Sequence, residues 1–179
     1  FDLITNVIYK KTPDKSTADI ESFRTNLYKN NHFININDFG AGSKIKKNKK
    51  RKIKDIAKNS SKNKKYGQLL FRISEYFKPK IIFELGTSFG ISTLYLAKGH
   101  KHAEIITFEG CVESAKIAQE NFNLLNVINI ETVLGDFKDT FEKKLENYKN
   151  VDLIFIDGNH DQEATINYFE ALSNHVNNK

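Results

Sequence analysis

One cysteine, two prolines, no tryptophan and no methionine occur in 179 residues, and each scarcity narrows what the chain can be. Cys111 has no partner for an internal disulfide, so no disulfide framework holds the fold, and this usage agrees with a reducing compartment. It reads as a packing residue at the start of a helix. No apolar run approaches the roughly 20 residues that a membrane-spanning helix needs. The first residues also lack a basic stretch followed by an apolar one and a small-residue cleavage site. A soluble, cytoplasmic protein with no membrane partner is expected. Methionine is missing even at position 1, and the chain opens at Phe1 in mid-pattern. The expectation is a piece of something longer, in which a site shared between the halves of a fold would be incomplete.

What is present suffices for a packed interior. Hydrophobic residues make up 39% and aromatics 12% of the sequence, enough for a core despite a mean hydropathy of -0.52. A domain usually takes roughly 100–200 residues, which leaves room for one α/β domain and an appendage. The texture changes near Lys65. Residues 1–65 scatter their apolar positions and are expected to form an N-terminal extension of short helices and loops, with helices over 19–27 and 51–58 and a turn at 38–43.

From Tyr66 to Lys179 short β-rich runs alternate with segments of helical period, the pattern of βαβ units and a parallel sheet. The first helix spans 66–77, with Leu69, Leu70, Ile73 and Phe77 on one face, and Pro79 stops it. Strands are expected over 81–85, 104–108, 128–134 and 151–156, and helices over 90–98, 112–125, 140–147 and 162–176. Right-handed crossovers would assemble these into one open sheet with flanking helices, whose ligands bind at the carboxyl ends of the strands.

Four motifs fall at those ends. In Glu84-Leu85-Gly86-Thr87-Ser88-Phe89-Gly90 a strand runs into a glycine turn and then a helix, where the missing Cβ and the unpaired N–H groups make a ligand cradle. The spacing lacks the middle glycine of a dinucleotide fingerprint. Glu109 follows the next strand, about 20 residues further on, where nucleotide folds place an acid that accepts ribose hydroxyls. Its simpler use is to favour the N-terminus of the following helix. Gly135-Asp136-Phe137 follows the third strand. Asp157-Gly158-Asn159-His160 follows the fourth, with Asp157 as a helix cap and His160 as a surface residue the plainer alternative.

In order and spacing these motifs resemble class I S-adenosylmethionine-dependent methyltransferases, especially the group with catechol O-methyltransferase and the small bacterial O-methyltransferases. The resemblance covers residues 66–172. It implies a Rossmann-like sheet with Gly86, Glu84, Thr87 and Ser88 facing the methionine portion of the cofactor and Glu109 on the ribose. Asp136 and Phe137 would lie by the adenine, and Asp157 beside the sulfonium. In metal-dependent members an acid at the position of Asp157 binds Mg²⁺ or a related ion. His160 is the nearest base without one. Lys65-Tyr66-Gly67-Gln68-Leu69 looks like the helix start that closes over the cofactor. Those enzymes continue through a fifth strand with further metal ligands and an antiparallel pair, whereas this chain reaches Lys179 after its fourth βα unit. One carboxylate does not make an Mg²⁺ site, so metal dependence is an expectation for an intact enzyme only.

Residues 44–65 are crowded with Lys and Arg, with Asp55 the one acid, and contribute to a net charge of +6. A solvated face is favoured over a phosphate-binding surface, because no aromatics interleave residues 44–61 as stacking platforms. The expected activity is O-methylation of a small-molecule hydroxyl. An RNA methyltransferase using the basic segment and a non-catalytic nucleotide-binding module are the alternatives, and a homodimer is left open.

Overall fold

A computed structural model describes residues 1–36, 49–158, 162–173 and 175. Of the sequence expectations, the turn at 38–43, the first part of the basic segment and His160 lie outside the described residues. Helix α1 (Ala18–Lys29), strands β1 (Phe33–Ile36) and β2 (Lys49–Lys52) and helix α2 (Ile53–Ser60) precede the regular part. That part runs α3 (Lys64–Phe77), β3 (Ile81–Leu85), α4 (Ile91–Gly99), β4 (Glu104–Glu109), α5 (Val112–Leu124), β5 (Ile130–Leu134), α6 (Phe137–Leu145), β6 (Leu153–Ile156) and α7 (Gln162–Ser173).

Strands β3 to β6 form one parallel sheet in the order β5-β4-β3-β6. The chain steps outward from β3 to β4 and β5, then returns to the other side of β3. The order therefore reverses between β3 and β6, and in open α/β sheets ligands lie in the crevice beyond such a reversal.

Side chains alternate between the sheet's two faces, and this splits the core in two. Ile82 and Ile105 join Ile20, Leu27, Ile56, Leu70, Leu94, Tyr95 and Phe122 in one cluster, so α1 to α5 cover this face. Phe83, Leu85, Ile106 and Phe108 meet Phe137, Phe141, Tyr168 and Leu172, so α6 and α7 cover the other. Every residue of α4 from Ile91 to Ala97 is buried, because α4 lies between the sheet and the N-terminal helices. Residues of α1, β1 and α2 thus share one core with the sheet.

Three sequence expectations need correction. Arg51 and Lys52 do not open a helix. They pair with Ile34 and Phe33 in an antiparallel ribbon, and helical period begins at Ile53. The third sheet strand starts at Ile130 rather than at Ile128, which is 94% exposed. There the chain is still leaving α5, with Asn126 at φ 52° and the Val127 N–H donating to the Phe122 carbonyl at 2.9 Å. Helix α6 begins at Phe137, not at residue 140, because the Asp136 carboxylate accepts the Lys138 N–H at 3.0 Å as an N-cap.

Candidate functional site

The loops after β3, β4, β5 and β6 open onto one cleft of about 360 Å³, within the roughly 300–1,000 Å³ usual for small-ligand sites. Gly86, Thr87 and Ser88 line it from the first loop, Glu109 from the second, Gly135, Asp136 and Phe137 from the third, and Asp157 and Gly158 from the fourth. Ile36, Arg51, Ile56 and residues 59–62 close it from the N-terminal side.

The first loop is bound tightly to its neighbours. The Gly86 and Thr87 N–H groups both donate to the Phe108 carbonyl, at 3.1 and 3.0 Å, and the Asp157 N–H donates to the Leu85 carbonyl at 2.8 Å. Gly86 has φ 110°, and a Cβ there would stand 2.9 Å from the backbone of Asp157 and Gly158. Only glycine meets both demands. Ser88 also takes a positive φ of 49°, uncommon for a residue with a side chain and typical of functional loops. Glu109 holds that turn. Its Oε2 accepts the Ser88 N–H at 2.7 Å and its Oε1 the Cys111 N–H at 2.8 Å. Its carboxylate thus supports the start of α5 as well as facing the cleft.

Two expected wall residues serve the floor instead. Glu84 is fully buried behind the loop, because it shares the sheet face of Ile82 and points toward α4. Its Oε2 accepts the Thr93 hydroxyl at 2.5 Å and the Thr107 hydroxyl at 2.7 Å, while its Oε1 has no hydrogen-bond partner among the described residues. Thr87 is 1% exposed, with its hydroxyl 2.6 Å from that of Thr107. Phe137 packs on Phe108 and Tyr168, and its ring would meet a Cβ on Gly158 at 2.6 Å. Cys111 is buried and its thiol donates to the Asn35 carbonyl at 3.3 Å, a packing role.

Burial lifts the Glu84 carboxyl to about 7, against the pull of the Ser92, Thr93 and Thr107 hydroxyls. The unfolded chain would ionise it near 4.5. Between these values the unfolded state has lost a proton that the folded state keeps, so stability is greatest below the lower value and falls as pH rises to about 7. At about 1.4 kcal/mol per pH unit the loss is about 3 kcal/mol. Urea melts of wild type and Glu84→Gln across this range should show the variant with a flatter profile and the higher relative stability at alkaline pH. Parallel profiles would contradict the shift.

Sequence reasoning did not find the N-terminal contributors to the cleft. Lys62, whose ammonium lies 2.6 Å from Asp157 Oδ1, is one lysine of many in its segment. Arg51 reaches the cleft through the β1–β2 ribbon, and no local pattern marks either residue.

A profile of the family described as a methyltransferase domain matches residues 83–179. The chain belongs to the methyltransferase domain family. This domain is similar to a candidate O-methyltransferase of Klebsiella pneumoniae at 25% identity and a TM-score of 0.61, over 66% of this chain and 54% of that one. An O-methyltransferase of Bacillus cereus solved in complex with SAH matches 97% of this chain and 66% of its own at 22% identity, with a TM-score of 0.62. The O-methyltransferase TomG of Streptomyces achromogenes, solved with SAM, matches at 21% identity and a TM-score of 0.61, over 66% and 54%. The chain thus spans 54% to 66% of the length of these solved structures. No protein of curated function matches the chain. Among the described residues no helix is long and apolar enough to cross a membrane.

Proposed function

We propose that the cleft binds S-adenosylmethionine and that the protein acts as a transferase, methylating a hydroxyl of a small molecule in the cytoplasm. The observation that carries this reading is the convergence of Gly86, Glu109, Asp136 and Asp157 from four separate strand ends on one cleft at the order reversal of the sheet. Glycine at position 86 lets the β3 and β6 loops approach closely at the base of the cleft, and the cleft volume suits a nucleoside-sized ligand.

Each residue then has a stated part. Gly86 and Ser88 present backbone to the amino-acid end of the cofactor, with Glu84 and Thr87 as the hydrogen-bonded floor beneath them. Glu109 accepts the ribose hydroxyls, and Asp136 and Phe137 bound the adenine end. When bound, S-adenosylmethionine supplies a methyl group made electrophilic by its sulfonium. The chain's remaining tasks are to align an acceptor oxygen and to take its proton. Asp157, at the carboxyl end of β6, accepts the hydrogen bond and then the proton of the acceptor hydroxyl, and His160 is the other group proposed for proton transfer.

Among the described residues, the set around Asp157 does not suit the Mg²⁺ of metal-dependent relatives. Asp157 Oδ1 is taken by the Lys62 ammonium, and no group of three or more His, Cys, Asp or Glu side chains gathers among the described residues. Mg²⁺ prefers six oxygens in an octahedron, which this set does not offer.

Incubation with methyl-labelled S-adenosylmethionine and a panel of small phenols and alcohols tests the reading. Label is expected on a hydroxyl compound. Label on RNA alone would replace the acceptor class, and cofactor binding with no transfer to any acceptor would leave a binding module.

A further inference from the structure

The three residues Ser61, Lys62 and Asn63 join α2 to α3, and Ser61 and Lys62 line the cleft. Their backbone is fixed on both sides. Arg24, only 5% exposed, donates from Nη1 to the Lys62 carbonyl and is itself held by Glu21 Oε1 at 3.2 Å. Asn63 caps α3 by accepting the Tyr66 N–H at 3.1 Å. From this anchored position the Lys62 ammonium meets Asp157 Oδ1 at 2.6 Å, with the Asp157 side chain 13% and the Lys62 side chain 37% exposed. A buried arginine on the main chain is more than a surface ion pair requires.

Building on the cofactor reading above, we propose that Lys62 is the resident cation of the methyl-transfer centre: it neutralises Asp157 in place of a divalent metal ion and sets the charge beside the cofactor sulfur. An ammonium in contact with the carboxylate satisfies it and repels a second cation. Glu84, a buried carboxylate, lies behind the floor and accepts the Thr93 and Thr107 hydroxyls. A consequence follows for ligand choice. With Lys62 paired to Asp157 the centre is locally neutral, so a positive sulfonium and a neutral thioether meet nearly the same field there.

The test uses the full chain and two probes, S-adenosylmethionine and S-adenosylhomocysteine, titrated calorimetrically. Lys62→Met leaves Asp157 charged and unpaired, and the affinity ratio should move toward the sulfonium by about tenfold, between the bulk-water and protein-surface limits for one charge pair. Lys62→Arg should keep the ratio within about twofold, since a guanidinium retains the charge. Asp157→Asn should move it the opposite way from Lys62→Met. Wild-type affinity for both probes should be indifferent to EDTA and to added Mn²⁺.

A ratio unmoved in Lys62→Met, with both probes bound, would reduce Lys62 to a structural residue and overturn this inference alone. Restoration of wild-type affinity only by Mn²⁺ after EDTA would overturn it too. Failure of a folded wild type, checked by circular dichroism, to bind either probe would instead overturn the cofactor reading, and the inference with it.

Discussion

A Gly86→Val variant is expected to lose about 3 kcal/mol or more of stability and nearly all cofactor affinity. Two costs add at this one position. A φ of 110° is sterically open to glycine and strained for a β-branched residue, at roughly 1–3 kcal/mol. The new side chain also meets backbone at 2.9 Å, the carbonyl of Asp157 and the N–H of Gly158, which have no rotamer by which to withdraw. Overpacking of this kind costs roughly 1–3 kcal/mol more. At about 2–4 °C per kcal/mol for a chain of this size, thermal unfolding should begin roughly 6–12 °C lower. Relief comes only if the loop retreats from β6, and a displacement of about 1 Å in a positioning loop can cost about 100-fold in function. Calorimetric melting and cofactor titration check both parts. A variant with unchanged melting would mean that the close approach of the β3 and β6 loops is wrong.

Glu109→Ala should produce the second large loss, chiefly in binding. The carboxylate joins Ser88 of the first loop to Cys111 at the start of α5. Hydrogen bonds to a charged acceptor are worth about 1.5–3 kcal/mol each, so removing both should loosen the turn at Ser88. Its proposed role as acceptor for the ribose hydroxyls adds to this, and cofactor affinity should fall by about 100-fold or more. Glu109→Gln is a graded control. It offers one acceptor and places an amide N–H₂ against the other N–H donor, so its loss should be intermediate. Retention of wild-type affinity by the alanine variant would remove Glu109 from the site.

These two residues show how far the sequence could be read and where it stopped. Gly86 and Glu109 stand at the ends of continuous apolar strands, and in a parallel sheet every such end opens on the same edge, so local pattern alone could place them. The same logic located Asp136 and Asp157 and the helices between them. It failed where one residue has two uses. The motif groups Glu84 with its neighbours, yet strand alternation turns its side chain to the face of Ile82 and away from the cleft. Asp136 stands out in sequence as a ligand candidate, and its use as the cap of α6 starts that helix a turn earlier than its apolar period suggests.

Long-range pairing was harder still. The β1–β2 ribbon pairs a short, mostly apolar strand with a basic one that comes after residues 37–48, and Lys50, Arg51 and Lys52 carry none of the alternation that marks a buried strand. Lys62 likewise owes its position to Arg24, 38 residues earlier. Its charge partner Asp157 is distant in sequence though adjacent in space, so composition registers only another lysine.

The central claim is most directly tested by following backbone amide resonances of the ¹⁵N-labelled chain during titration with S-adenosylhomocysteine. The largest shifts are expected at Gly86, Ser88, Gly135 and Gly158, with Glu109 and the adjoining cleft residue Gly110 among them and the outer faces of α1 and α7 unmoved. Saturable binding whose shifts cluster away from these loops, or no shift at all in a folded chain, would contradict it.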